Sequence, residues 1–302
     1  MSGVEYKVRL MQKEDIPQAL DIWRETGNQE GTDRLYTWLE VDPEGFYVAV
    51  TDAGEILGVC SAVIHHEDLV FVGLYSVRKK YRKQGIGSKI WSACMDHIGS
   101  RNAALNSVPD RWKMYRDSSG FPLLENEWLS AEYLQTEGIQ MNQLSESVPP
   151  GIEIEPYTKS HLPLMLDYDR NLIGYGRELA VKLTCEEKDS YTFVALKDGA
   201  CVGYGVIKMS CQGAGHVGPL YADDPSIAEA MLTELVHAFR AQWPEARGFG
   251  ATTISINAKA REMYERLGCP LVEECHRLYR KQALKVDTNK VFAHFDMNFS
   301  PF

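Results

Sequence analysis

The sequence predicts an α+β fold in α/β/α layers, used twice in tandem, each copy a mixed, mostly antiparallel central sheet flanked by helices. Three observations lead there. A length of 302 residues suits two domains at about 150 residues each. Residues 141–151, MNQLSESVPPG, have no hydrophobic periodicity and hold serine, a proline pair and glycine, the composition of a linker. The stretches on either side repeat one order of elements. We therefore expect a first domain over 1–141, a linker over 142–151 and a second domain over 152–302.

Each half opens with a short strand and a helix, YKVRLMQKEDIPQALDIW in one and IEIEPYTKSHLPLMLDYD in the other. Paired β-branched strands follow, FYVAV with ILGVCSAVI and YTFVAL with CVGYGVIKM. They are joined by the hairpin-like turns Asp52-Ala53-Gly54-Glu55 and Lys197-Asp198-Gly199-Ala200. A further strand, VFVGLYSV or HVGPLYA, leads into a helix with apolar residues at helical spacing. Those residues are Ile90, Trp91, Cys94, Met95 and Ile98 in the first half, and Ile227, Met231, Leu232, Leu235 and Val236 in the second. A later helix carrying a tyrosine, with glycine beyond it, closes each pattern. Two copies of a unit this long exclude a solenoid.

Composition narrows the function. At 44% hydrophobic and 25% charged residues the chain can bury proper cores, which excludes collagen-like and mainly disordered classes. A formal charge of −10, divided −7 and −3 between residues 1–150 and 151–302, argues against nucleic acid or a lipid surface as partner. One run breaks the acidic average: Arg78-Lys79-Lys80-Tyr81-Arg82-Lys83 places five cations in six positions. The charged start and the lack of a long apolar stretch predict a cytoplasmic protein. Seven cysteines without a CxxC pair or zinc spacing read as buried thiols, and no metal site is expected.

The chemistry is concentrated in residues 70–98. A buried strand enters a basic turn with glycines at 85 and 87, and a helix opens at about Ile86. Free N–H groups in a helix's first turn, together with the helix dipole, bind anions. The dinucleotide pattern GxGxxG fails because Ile90 stands at its third glycine, and no GxxxxGK[ST] occurs. The remaining pattern, Arg82-x-x-Gly85-x-Gly87 after a hydrophobic strand, resembles the pyrophosphate loop of the GNAT N-acetyltransferase superfamily. In the second half Asn257-x-x-Ala260-x-x-x-Tyr264-x-x-x-Gly268 resembles that superfamily's Asn–Tyr–Gly signature. Its loop, however, reads Gly218-Pro-Leu-Tyr221-Ala-Asp223-Asp224-Pro-Ser226, whose carboxylates would repel a diphosphate. The chain thus resembles tandem GNAT proteins with a degenerate C-terminal copy.

The resemblance implies an acetyl-CoA-dependent N-acetyltransferase acting on a primary amine by direct attack. Acetyl-CoA is the cosubstrate, and the acceptor is a small molecule or a peptide or protein amine. Arg82, Lys83, Gln84, Gly85, Ile86, Gly87 and Ser88 would hold the pyrophosphate, and Leu74, Tyr75, Ser76 and Val77 would pair with the pantetheine arm. A bulge in that strand would free an N–H to polarise the thioester. Tyr115, ahead of Gly120-Phe121, or Tyr264 would protonate the leaving thiolate. Both tyrosines also fit as helix residues packing on the sheet, and the loop also fits an ordinary strand-to-helix turn. Asp33, Tyr36, Trp38 and Glu40 suit a cationic amine, while Leu35, Trp38 and Leu39 also fit a core-facing stripe. Val70 to Val77 holds no carboxylate to serve as general base. His65, His66, Glu67 and Asp68 lie just before it, in what also reads as a solvated turn. A CoA-binding or scaffold protein without catalysis is the competing class.

Overall fold

The computed structural model describes residues 4–27, 31–138, 143–145 and 147–302. The first half runs β1 (Lys7–Leu10), α1 (Ile16–Thr26), α2 (Arg34–Val41), β2 (Phe46–Val50), β3 (Ile56–His66) and β4 (Leu69–Val77). It continues through α3 (Ile86–Ile98), β5 (Asn102–Ser107), α4 (Trp112–Ser118), β6 (Leu123–Leu124) and β7 (Ser130–Gln135). The second half repeats the series as β8 (Glu153–Pro156), α5 (Leu162–Ile173), α6 (Glu178–Cys185), β9 (Ser190–Lys197), β10 (Ala200–Met209) and β11 (Gly215–Ala222). Then come α7 (Pro225–Gln242), β12 (Phe249–Ile254), α8 (Ala258–Arg266), β13 (Leu271–Tyr279) and β14 (Val291–Ala293).

Local rules account for the repeat. Helices α1 and α5 each begin with proline in the first turn and end on a left-handed glycine, Gly27 or Gly174. The second hairpin turns through Asp198 and Gly199, both at positive φ, as a tight two-residue turn requires. Helix α3 buries Ile86, Ile90, Cys94 and Ile98, one side of its cylinder, against the sheet. Among the described residues no helix is long and apolar enough to cross a membrane. All seven cysteines are free thiols, five of them buried.

The strands form a single 14-stranded sheet in the order β1-β2-β3-β4-β5-β13-β7-β12-β11-β10-β9-β8, with β14 and β6 off this path. The halves exchange strands. β13, from the second half, pairs with β5, and β7, from the first, pairs with β12. The two exchanged strands also pair with each other, joining the halves. Asn142 and Glu146 of the expected linker lie outside the described residues, and Leu144 is buried in the α7–α8 core.

Helices α1, α2, α5 and α6 share one apolar cluster, and residues 291–302 run through it. Phe295, Phe299 and Phe302 are all but fully buried there, packed with Trp23, Trp38 and Phe46. Charges are buried with them, and three of the cations are held in ion pairs, as burial favours. Arg34 Nη1 lies 2.5 Å from Asp296 Oδ2, with both side chains wholly buried. Arg177 holds Asp169 through two hydrogen bonds and donates to Ser300 Oγ and the Phe302 carbonyl. Lys208 pairs with Glu187, which also accepts from Thr37 on α2. Removing one member of a buried pair strands the other charge. Asp296→Ala is therefore expected to lower unfolding stability by about 3–5 kcal/mol in urea denaturation, against a far smaller change for the exposed Asp21→Ala.

Candidate functional site

The site grows from an irregularity in β4. Strand pairing with β3 matches Val59 to Ser76 but Ser61 to Gly73, so Leu74 and Tyr75 oppose the single residue Cys60. Leu74 takes the left-handed conformation, φ +52°, that this bulge requires. Parallel pairing with β5 stops just before it, at Val72 with Leu105, and the two strands part. The expected bulge is present, and the sheet splays beside it.

Beyond Val77 the chain makes a short 3-10 turn and two left-handed steps, Lys83 (φ +63°) and Gly85 (φ +78°), before α3 begins. Among the described residues, the amide N–H groups of 83–88 donate to no protein acceptor. Alternating turns of this kind cluster N–H groups into an anion-binding concavity, here at the positive end of a helix of 13 residues. The cationic run divides into two jobs. Arg78 pairs with Glu25 and donates to the Ile56 carbonyl, and Lys80 lies 2.7 Å from Glu55. Lys79, Arg82 and Lys83 carry no ion pair among the described residues, and Arg82 is aimed by a 3.0 Å bond to the Val77 carbonyl. Gly87 has a further reason to be glycine, since a side chain there would meet the Tyr75 hydroxyl at 2.5 Å.

Tyr115 lies half-buried on α4 with its ring 5.4 Å from Trp91, which in turn lies 5.4 Å from Tyr75. Burial pushes the Tyr115 phenol well above its ordinary pKa, so it keeps its proton. Tyr75, Tyr115 and the glycine turn are thus brought to one side of β4. Ser76 and Val77 line the same strand end, with Gln84, Ile86 and Ser88 in the turn and first helical residues. Tyr36 and Glu67 are both exposed. Tyr36 is exposed on α2, and Glu67 is exposed in the β3–β4 turn, about 23 Å along the strand from the bulge at 3.3 Å per residue. Trp38 is core, wholly buried, with its indole N–H on Asp296 Oδ2.

The second half uses the same geometry differently. Parallel pairing of β11 with β12 also stops, at Val217 with Ala251, but the gap beyond is filled by β14, which pairs with Leu220 and Tyr221. The Asn–Tyr signature grips that filler. Asn257 Nδ2 donates to the Val291 carbonyl at 3.0 Å, and the Tyr264 hydroxyl donates to the Phe292 carbonyl at 2.9 Å. Tyr264 is fully buried, and its phenol is committed to this bond. On the α7 side the loop closes on itself, Asp224 capping Ser226 and Asp223 binding Lys290.

From β14 the chain crosses to the first half and lies over β4. Leu74 N donates to Asn298 Oδ1 at 3.2 Å, and Asn106 Nδ2 donates to the Met297 carbonyl at 2.9 Å. Any side chain at Gly73 would collide with the Asn298 carbonyl at 1.9 Å, and one at the equivalent Gly218 with that of His294 at 2.7 Å. Motif reading missed this segment. Its visible trace was four phenylalanines, at 292, 295, 299 and 302, a density that demands burial.

A strand with a bulge and splay, running into an amide-lined cationic turn, gives the first half a place suited to an anionic ligand. Family comparison agrees. The profile of the acetyltransferase (GNAT) family matches residues 13–121, and an acetyltransferase (GNAT) domain profile matches residues 165–293. The chain is a tandem two-domain member of the GNAT superfamily. A search of curated proteins found no match. Among solved structures, a Pyrococcus horikoshii protein assigned to the acetyltransferases superposes with a TM-score of 0.73 at 16% identity, over 99% of this chain and 98% of that one. A tandem GNAT protein from the clavulanic acid biosynthesis pathway gives 0.65 at 13% identity, over 91% and 98%. A GCN5-related N-acetyltransferase from Sphaerobacter thermophilus gives 0.60 at 14%, over 91% and 95%. At these identities the likeness establishes the shared fold and leaves the acceptor to be found.

Two histidines touch the crossing segment. His65 Nε2 lies 2.6 Å from the Phe299 carbonyl, which can only accept, so the neutral ring donates. Burial pulls both His65 and His294 down to about 3. The folded protein then refuses protons that the unfolded chain takes up below pH about 6.5. Stability is unaffected above that value and falls as the pH drops from about 6.5 towards 3, by up to about 1.4 kcal/mol per pH unit for each ring. Urea unfolding at pH 7.5, 6 and 5 should show this slope, and His294→Phe should reduce it by about one proton's worth.

Proposed function

We propose that the protein is an acetyl-CoA-dependent N-acetyltransferase whose first half binds the donor and transfers its acetyl group to a primary amine. The observation that carries this reading is the asymmetry between the halves. The first keeps a cationic turn with unspent amides, and its splay is crossed by residues 297–298 rather than by a paired strand, whereas the second half's loop is acidic and β14 fills its splay as a paired strand. The diphosphate would lie on the amides of 83–88, attracted by Lys79, Arg82 and Lys83. The pantetheine arm would follow Leu74 to Val77, and the bulge N–H would polarise the thioester carbonyl.

The neutral amine nitrogen attacks the thioester carbon; the C–N bond forms, the C–S bond breaks, and the departing thiolate takes a proton from Tyr115. The extra proton on the new amide nitrogen leaves through solvent, which reprotonates the phenolate. Burial keeps the Tyr115 phenol protonated, so the proton is present when the thiolate departs. Holding donor and amine side by side supplies much of the rate. The acceptor is a small-molecule amine or an amine on a peptide or protein; neither nucleic acid nor membrane enters this reading. Tyr264, in this reading, holds β14.

A second reading, acyl-CoA binding without catalysis, is favoured by the segment lying on β4 at Gly73 and by the absence of a carboxylate between Val70 and Val77. Thiol release from acetyl-CoA with a panel of amines separates the two. Tight binding with no turnover on any amine would select the second.

Gly85→Glu forces a side chain into a left-handed position and sets a carboxylate among the anion-binding amides. It should weaken acetyl-CoA binding by at least about tenfold in calorimetric titration, and unchanged affinity would remove the loop from the mechanism. Tyr115→Phe should lower kcat by about 100-fold. Tyr264→Phe should leave kcat near wild type and instead cost about 1–3 kcal/mol of stability, because it strands the buried Phe292 carbonyl.

A further inference from the structure

The N–H that would polarise the thioester is already in use. Leu74 N donates to Asn298 Oδ1, and the carboxamide oxygen is a carbonyl acceptor of the kind an acyl thioester presents. Asn298 is held there by a scaffold rather than by chance. Asp296 Oδ1 accepts from the backbone N–H groups of Asn298 at 2.8 Å and Phe299 at 3.1 Å, making a turn that presents residue 298. The other oxygen of Asp296 is fixed by Arg34 and Trp38 of the first half. Asn106 and His65 secure the Met297 and Phe299 carbonyls on either side.

The scaffold is closed at both ends and open in the middle. Asp296 and Phe299 are buried, whereas Met297 and Asn298, the two residues over the bulge, keep partial exposure. The carboxamide that meets Leu74 N is therefore reachable from solvent, and a group arriving at the bulge must displace it.

We propose that Asn298 is a specificity-determining residue that competes with the donor's acyl carbonyl for the Leu74 N–H, and so sets how strongly the protein distinguishes acetyl-CoA from CoA. This rests on the reading that β4 holds the donor. Free CoA ends in a thiol, presents no carbonyl to the bulge, and leaves Asn298 in place. Acetyl-CoA must displace the carboxamide first, so part of the acyl group's binding energy is offset by the bond that Asn298 gives up. Asn298 acts by occupying the donor position and is not assigned a share in the bond-making step.

Titration of acetyl-CoA and CoA into wild type, Asn298→Ala and Asn298→Asp tests this. Asn298→Ala removes the competitor and should tighten acetyl-CoA by about three- to tenfold while CoA affinity stays the same. Asn298→Asp supplies a stronger, charged acceptor and should shift the acetyl-CoA to CoA ratio the opposite way. In the unaltered protein, amide hydrogen exchange over residues 294–302 should rise with acetyl-CoA and not with CoA, a readout independent of how the variants fold. An unchanged ratio in both variants, or a weaker acetyl-CoA affinity in Asn298→Ala, overturns the proposal while CoA binding keeps the donor reading intact. Failure of wild type and Asn298→Ala to bind CoA or acetyl-CoA at all overturns both.

Discussion

The buried pair between Arg34 and Asp296 is the constraint on which the arrangement of the site depends. It joins a helix of the first half to a segment that arrives from the second, in a region with no water to screen either charge. At that depth each ion is tolerable only because the other is present. The register of the crossing segment follows from it. With Asp296 fixed, Phe295 and Phe299 fall into aromatic pockets, Asn298 meets the bulge, and the Phe302 carbonyl reaches Arg177. Ion pairs in a core contribute little net stability, but they specify position, and position is what the bulge needs.

One fold used twice has been given two uses. A sheet that splays leaves unpaired backbone groups, and such groups must be satisfied by something. In the second half the chain satisfies them with its own β14, held by Asn257 and Tyr264. In the first half β4 has no strand partner on that side beyond Val72 among the described residues, and the crossing segment meets it there through Asn298. The same physical need is thus met by a paired strand in one half and by a side chain in the other. Strand exchange ties the two fates together, because β13 stands beside β5 of the open half and leads, through residues 280–290, into β14 of the closed one.

Much of this was legible from local pattern. Helix stripes, hairpin turns and the glycine-bearing cationic loop obey short-range rules, so Ile86, Gly85 and the apolar face of α3 could be placed from spacing alone. The role of Tyr264 could not. Its motif is intact, and only the course of residues 288–293 shows that the phenol meets a carbonyl of the chain itself. Glu67 had suitable chemistry, but suitability carries no distance, and the fold puts it at the far end of β4. The cationic run was visible, yet its division into paired and unpaired members depends on Glu25 and Glu55, which lie far from it in sequence.

The sequence alone determined that there are two similar α+β units, that one bears a basic anion-binding turn, and that the other has lost it. These follow from periodicity and composition within windows of about 20 residues, where backbone geometry dictates the pattern. Only the tertiary structure decided that the units exchange strands, that a phenylalanine-rich segment fills one splay and crosses to the other, and that Asn298 meets Leu74. Such contacts join residues from 70 to 224 positions apart. They arise from closing the whole chain around one core, and no local rule encodes which distant partner a buried group will find.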